Sequence, residues 1–222
     1  MALEFNAGYS MVLGNYGNTD TLNSKSGFAQ GGWLIQLTFD WMGKSNFGLA
    51  FQYTFQSNSL NKSISNFHPS GMSFPLGTGS WSNHYLMAGP VFLKSFKKIS
   101  LDVKVLGGLI LASSSTFNVT NPTDSANPQN VHGIGTGFAY QVSAGLGYTI
   151  SDHFTLKFNL GLLGGWPGKE KQYGSRLIGY EEYTDPVTGI KYEKPVYSAP
   201  VDYSIKKIVT TLNPSLGLIF RF

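Results

Sequence analysis

The sequence predicts an all-β protein: an eight-stranded antiparallel up-and-down β-barrel that crosses a membrane. Three observations predict it. Eight segments alternate apolar and polar residues with period two, as strands with two unlike faces do. Only 13% of the 222 residues are charged, about half the ~25% usual in soluble domains, so much of the surface does not face water. The links between the segments alternate in length, four long and three short. No apolar run reaches the ~18–20 residues of a membrane helix; the longest is roughly Val105 to Ala112. Lipid offers no hydrogen-bond partners, so a membrane chain without such helices must satisfy its backbone between the strands of a closed barrel.

Each strand follows from its alternation. The first is expected over about Leu3 to Gly14, with Leu3, Phe5, Ala7, Tyr9, Met11 and Leu13 on one face. In the second, Gly32 to Met42, Trp33, Ile35, Leu37, Phe39 and Trp41 oppose Gln36, Thr38 and Asp40. The third, Asn46 to Ser57, sets Phe47, Leu49, Phe51, Tyr53 and Phe55 against Gly48, Ala50, Gln52 and Thr54. The fourth, Trp81 to Phe96, has an ambiguous facing around Gly89-Pro90. A proline cannot donate a ladder bond, so a bulge is expected there. The fifth runs from Ile99 to Ser115, the sixth from Gly135 to Ile150, the seventh from Phe154 to Pro167, and the eighth from about Lys207 to the end. The short links are at 42–46, 95–98 and 151–153; the long ones lie near 16–30, 60–80, 117–134 and 172–206. Both termini therefore fall at the short-turn end.

The apolar face is aromatic at both ends: Trp33 and Trp41 bracket the second strand, and Tyr148 and Trp166 lie near opposite ends of the sixth and seventh. Such girdles mark a membrane-facing exterior. A soluble lipocalin-like barrel would turn these rings inward, where an eight-strand interior is too narrow for them.

With the apolar face outward, six charges point into the lumen: Glu4, Asp40 and Asp102 against Lys104, Lys157 and Arg221. All map to strand ends near the short turns. Buried charges persist only when paired, so a neutral salt-bridge plug is expected in that half. Neutral polar groups such as Ser10, Gln52, Thr54, Gln141, Ser143 and Asn159 are expected beyond it. A gated ion path is the functional reading of this cluster. A filled core is the structural one, favoured by the narrow interior.

Other chemistry is sparse. There is no cysteine, zinc spacing, phosphate loop or nucleophile elbow, so no metal or cofactor is expected. The net charge of +4 is small and dispersed, and argues for no nucleic-acid partner. Of the four histidines, only His84 sits on a strand, near the rim where Ser113, Ser114 and Ser115 end the fifth. In the longest link, Tyr180-Glu181-Glu182-Tyr183-Thr184 and Ile190-Lys191-Tyr192-Glu193-Lys194 flank Asp185-Pro186-Val187-Thr188-Gly189, a hairpin signal. Tyr180, Tyr183, Tyr192 and Tyr197 crowd this predicted flap. They are candidates either to anchor a partner or to pack together and cap the barrel.

The chain ends in an alternating run, Leu212, Pro214, Leu216, Leu218, Phe220 and Phe222 on one face. This resembles the sorting signal of bacterial outer-membrane barrels, with Phe220 and Phe222 as its aromatic positions. The link pattern resembles their topology too, with short periplasmic turns and long outer loops. Across its whole length the chain is similar to small barrels of the OmpA/OmpX kind. Asp20-Thr21-Leu22 and Asp124-Ser125-Ala126 resemble O-glycosylation sites of Bacteroidota, which implies such a source.

The resemblance implies a single barrel domain over residues 1–222 in the bacterial outer membrane, with periplasmic termini and a long fourth outer loop over about 173–205. It implies contact with outer-membrane lipid and lipopolysaccharide, and insertion by the barrel-assembly machinery. No secretory leader or peptidoglycan-binding domain is visible, so a mature barrel alone is expected. Barrels of this kind serve several functions. The expected one is non-enzymatic: extracellular loops that bind a partner, as a subunit of an outer-membrane complex or as a surface-binding protein. The alternatives are a lipid A-modifying enzyme built on His84 and a narrow channel.

Overall fold

A computed structural model describes residues 1–18, 29–43, 46–60, 80–113, 117–121, 124–131, 133–174, 177–184, 189, 191–197, 201–206 and 208–222. Fourteen strands occur among them. In chain order they are β1 Ala2–Val12, β2 Ala29–Met42, β3 Phe47–Leu60, β4 Ser80–Phe96, β5 Ile99–Ser113, β6 Phe117–Asn121, β7 Asp124–Val131, β8 Gly133–Thr149, β9 Phe154–Trp166, β10 Lys169–Gly174, β11 Leu177–Thr184, β12 Lys191–Tyr197, β13 Val201–Lys206 and β14 Val209–Arg221.

Eight of them are staves. β1, β2, β3, β4, β5, β8, β9 and β14 pair antiparallel in that order, and β14 pairs back to β1, which closes the cylinder. Closure removes the two open edges that a sheet would otherwise present to lipid. The fold is the antiparallel eight-stranded up-and-down barrel the alternation calls for. The ladder between β4 and β5 is interrupted around Gly89-Pro90, between the pairs Ala88–Gly107 and Val91–Lys104, but the register is the same on both sides. The β3–β4 ladder also runs through Pro90 unshifted, so the expected bulge does not form and the proline only withholds an N–H.

Period two sets the faces. Leu37, Phe51, Val105, Leu146, Phe158 and Leu218 are all exposed on the outer wall. Around the long-loop end, Trp33 packs on Phe55 at 5.2 Å, and Tyr140 on Trp166 at 5.2 Å. Around the short-turn end, Phe47 meets Phe92 at 5.0 Å and Phe154 meets Phe220 at 5.3 Å. An apolar band between two aromatic belts is the exterior of a transmembrane barrel.

The short turns are tight. β4 and β5 are joined by Lys97 and Lys98, and Lys97 adopts the left-handed region with φ 52°. The long-loop side carries further strands. β10 and β13 pair as a ribbon that prolongs the β9–β14 ladder. β6 pairs with β7, and β11 with β12, as separate two-stranded sheets. In the β11–β12 hairpin Tyr183 faces Tyr192 and Glu181 faces Lys194.

Two expectations about the interior need correction. β1 ends at Val12, not Gly14; Gly14, with φ 57°, opens a 3-10 turn that swings Tyr16 into the barrel mouth. The inner face is also not uniformly polar. Leu34, Trp81, Tyr85, Met87, Leu106, Ile110 and Leu163 point inward and are almost wholly buried. An eight-strand lumen leaves room for side chains and little more, so large residues on the inner face fill it as a core would.

Candidate functional site

The lumen is layered along the barrel axis. In the half nearest the short turns, five buried charges alternate in sign along one chain. Lys104 Nζ donates to Asp40 Oδ2 at 2.9 Å and to Glu4 Oε2 at 2.7 Å. The other Glu4 oxygen, Oε1, takes Lys157 Nζ at 2.9 Å, and Lys157 reaches Asp102 Oδ1 at 2.8 Å. Asn6 Nδ2 adds a hydrogen bond to Glu4 Oε1 at 2.7 Å. The groups come from β1, β2, β5 and β9, and Lys104 and Glu4 come from opposite walls. Alternation of sign gives each carboxylate an ammonium partner, the condition for keeping such charges out of water.

Arg221 is not in this chain, contrary to the six-charge expectation. It is the last residue of β14, partly exposed at the rim, and its backbone contacts His153. Ala2 lies between it and Asp40 in the ladder, so one full strand separates the two side chains. The cluster thus holds three carboxylates and two ammonium groups and is not neutral in formal charge.

One glycine makes room for part of the cluster. Gly145 faces inward between Lys157 and Asp102, and a β-carbon there would overlap both side chains. A side chain here would force the ends of Lys157 and Asp102 to shift, so the glycine lets the ion pair lie close against the wall.

An amide belt comes next. Gln52 Nε2 donates to Gln141 Oε1 at 2.7 Å, from β3 to β8 on the far wall. Gln52 Nε2 also reaches Thr54 Oγ1 at 2.9 Å, and Thr38 Oγ1 donates to Gln52 Oε1 at 3.2 Å. Nearer the long loops, Gln56 Nε2 donates to Ser10 Oγ at 2.9 Å. Ser143 and Asn159 also face inward and are buried. At the mouth, Tyr16 packs edge-on to Trp81 with ring centres 6.0 Å apart, and Asn83 Nδ2 donates to the Tyr16 hydroxyl at 3.1 Å.

Residue by residue, the structure brings together Glu4, Asp40, Asp102, Lys104 and Lys157 and leaves Arg221 at the rim. It places Phe220 and Phe222 side by side at 5.9 Å in the short-turn girdle. Tyr183 is exposed on β11. Tyr180, Tyr192 and Tyr197 lie on the paired strands β11 and β12, but their side chains are outside the described residues. Asp20 to Leu22, His68, His132, Ser114 and Ser115 are also outside them, as are the side chains of Asp124 to Ala126.

His84 faces the outer wall, not the lumen. Its Nδ1 is 2.8 Å from the Tyr53 hydroxyl, and its ring packs on Phe55 at 4.9 Å. The signal that sequence reasoning misses is strand β4 itself. Trp81, Asn83, Tyr85 and Met87 alternate with Ser82, His84 and Leu86, and the larger, more apolar set is the inner one.

Among the solved structures that match along the whole chain are two small barrels. One is Neisserial surface protein A, with a TM-score of 0.51 and 9% identity, covering 100% of this chain and 96% of that one. The other is a major outer membrane protein from Thermus thermophilus, with a TM-score of 0.55, 10% identity, and 100% of both chains covered. The fold is that of a small outer-membrane β-barrel. No protein-family profile and no curated protein sequence matches the chain. These neighbours lend no support to the Bacteroidota reading.

Proposed function

We propose that this chain is a sealed, non-enzymatic scaffold of the bacterial outer membrane whose long-loop hairpins bind a partner. The observation that carries the reading is the lumen. Ion pairs, a cross-wall amide belt and an apolar, aromatic mouth occupy it in series. A filled bore argues for a role outside it, and loops on a rigid scaffold are where binding residues concentrate.

In this reading the termini and short turns are periplasmic, the long loops are extracellular, and Phe220 and Phe222 serve the assembly machinery that inserts the barrel. The partner-binding element is the β11–β12 hairpin, with Tyr180, Tyr183, Tyr192 and Tyr197. It forms its own two-stranded sheet, and tyrosine supplies contact area at little conformational cost. The partner is another subunit of an outer-membrane complex or a surface ligand.

The test is an in-frame deletion of residues 181–194. The variant should remain heat-modifiable, as a folded barrel is, yet lose what co-elutes with the native protein from mildly solubilised membranes. Unchanged co-elution rejects the reading. Protease or antibody access to the hairpin in intact cells tests the orientation separately.

A further inference from the structure

We propose that the outer wall between β3 and β8 holds a lipid site, in which His84 and Tyr53 hydrogen-bond an ester or hydroxyl oxygen of lipid A while one of its acyl chains lies along the wall below. The proposal rests on the orientation given above, which places the long-loop end in the outer leaflet, where lipopolysaccharide resides.

The wall carries a groove of about 450 Å³ lined by Tyr53, His84, Leu86, Leu109, Leu111 and Thr136, among others. The strand register orders these residues by depth. Phe55, His84, Leu111 and Thr136 form one row across β3, β4, β5 and β8. The next row toward the membrane centre is Tyr53, Leu86, Leu109 and Phe138, and the one after it is Phe51, Ala88, Gly107 and Tyr140. His84 and Thr136 therefore stand in the top row, Tyr53 reaches up to His84 from the second, and the rest of the second row is hydrocarbon. Ala88 and Gly107, between Phe51 and Tyr140, are the smallest residues of the third row.

The top row is at interfacial depth, since Trp33 of the girdle packs on Phe55 and Phe55 on His84. Interfacial aromatics mark the headgroup level, where the oxygens that join acyl chains to a headgroup lie. A polar pair turned toward lipid is costly unless its hydrogen-bonding capacity is used. The Tyr53–His84 bond uses one proton. Either tautomer then leaves one donor for the groove: His84 Nε2–H when the tyrosine donates to Nδ1, or the Tyr53 O–H when Nδ1–H donates to it. The 3-oxygen of a lipid A acyl chain, as hydroxyl or ester, accepts either, and phosphatidylglycerol carries no oxygen at that position. The apolar floor selects a chain, and no charged group among the described residues lines the groove.

The test is lipid retention by the purified, detergent-folded barrel, counted by native mass spectrometry after incubation with lipid A or with phosphatidylglycerol. Wild type should retain lipid A in preference to phosphatidylglycerol. His84→Ala and Leu109→Trp, which remove the polar head and fill the groove, should each lower lipid A retention about tenfold, the scale of one hydrogen bond or one blocked contact. Tyr53→Phe, which deletes a single oxygen, should lower it while leaving heat-modifiable folding untouched. Leu160→Trp, on the outer face of β9, should leave it unchanged. Equal retention in wild type, His84→Ala and Tyr53→Phe overturns the proposal. So does equal retention of phosphatidylglycerol, or no retention of lipid A at all. Retention in detergent reads the groove alone, so its failure is separable from that of the orientation, which intact-cell labelling reads.

Discussion

Lys104 Nζ lies 2.7 Å from Glu4 Oε2, and that bond joins opposite walls of the barrel. It is the cross-brace of the charged layer. Lys104 also holds Asp40, and Glu4 also holds Lys157. Removing one member therefore strands others.

Lys104→Met should destabilise the folded barrel by about 3–5 kcal/mol, because Glu4 and Asp40 each lose a partner in a buried layer. Urea unfolding in liposomes, read by loss of heat modifiability, measures it. The double variant Lys104→Met/Asp40→Asn should recover part of the loss, since one stranded charge is gone. No recovery would mean that packing, not charge, governs this layer.

Gly145→Ala should cost about 1–3 kcal/mol, the usual penalty of overpacking. The methyl group occupies the space of the Lys157–Asp102 pair. The same unfolding measurement checks it. A neutral result would show that the pair relocates freely.

Lys97→Gly should stabilise the barrel in the same unfolding measurement. Lys97 takes φ 52° in the turn between β4 and β5, a conformation that costs a residue with a β-carbon about 1–2 kcal/mol. The greater freedom of glycine in the unfolded chain offsets part of that gain, leaving up to about 1 kcal/mol. A lower unfolding midpoint in the variant would show that the lysine side chain itself supports the turn.

Planar-bilayer recording of the wild type should show no discrete conductance steps, because the layers close the bore in series. Tyr16→Ala opens the mouth alone and should also remain closed; the Gln52–Gln141 bond still bridges the walls behind it. Steady unitary steps from the wild type would revive the narrow-channel reading.

Phe222→Ala should lower the yield of inserted barrel in cells while leaving detergent refolding of the purified chain intact. Phe222 is exposed and touches only the girdle ring of Phe220 among the described aromatic contacts. Its removal therefore takes little from the folded state. Equal insertion would remove the terminal ring from the sorting role.

Local alternation was enough to assign the staves. In Phe47 to Phe55, for example, a side chain's face depends on its own position along a strand and on nothing distant. The short turns and long loops then set the up-and-down order, and the low charge and paired aromatic belts turned the apolar face outward. The same parity pointed Glu4, Asp40, Asp102, Lys104 and Lys157 inward. It could not say which would touch, because ion pairs across a lumen depend on how closure and stagger oppose distant staves. Arg221 shows the limit: its parity points inward, yet Ala2 separates it from Asp40 and the strand end leaves it at the rim. The inward Trp81, Tyr85 and Met87 were hidden for a related reason. On β4 both faces are apolar enough that periodicity does not choose between them, and only the closed cylinder, with one cramped side and one open to lipid, does.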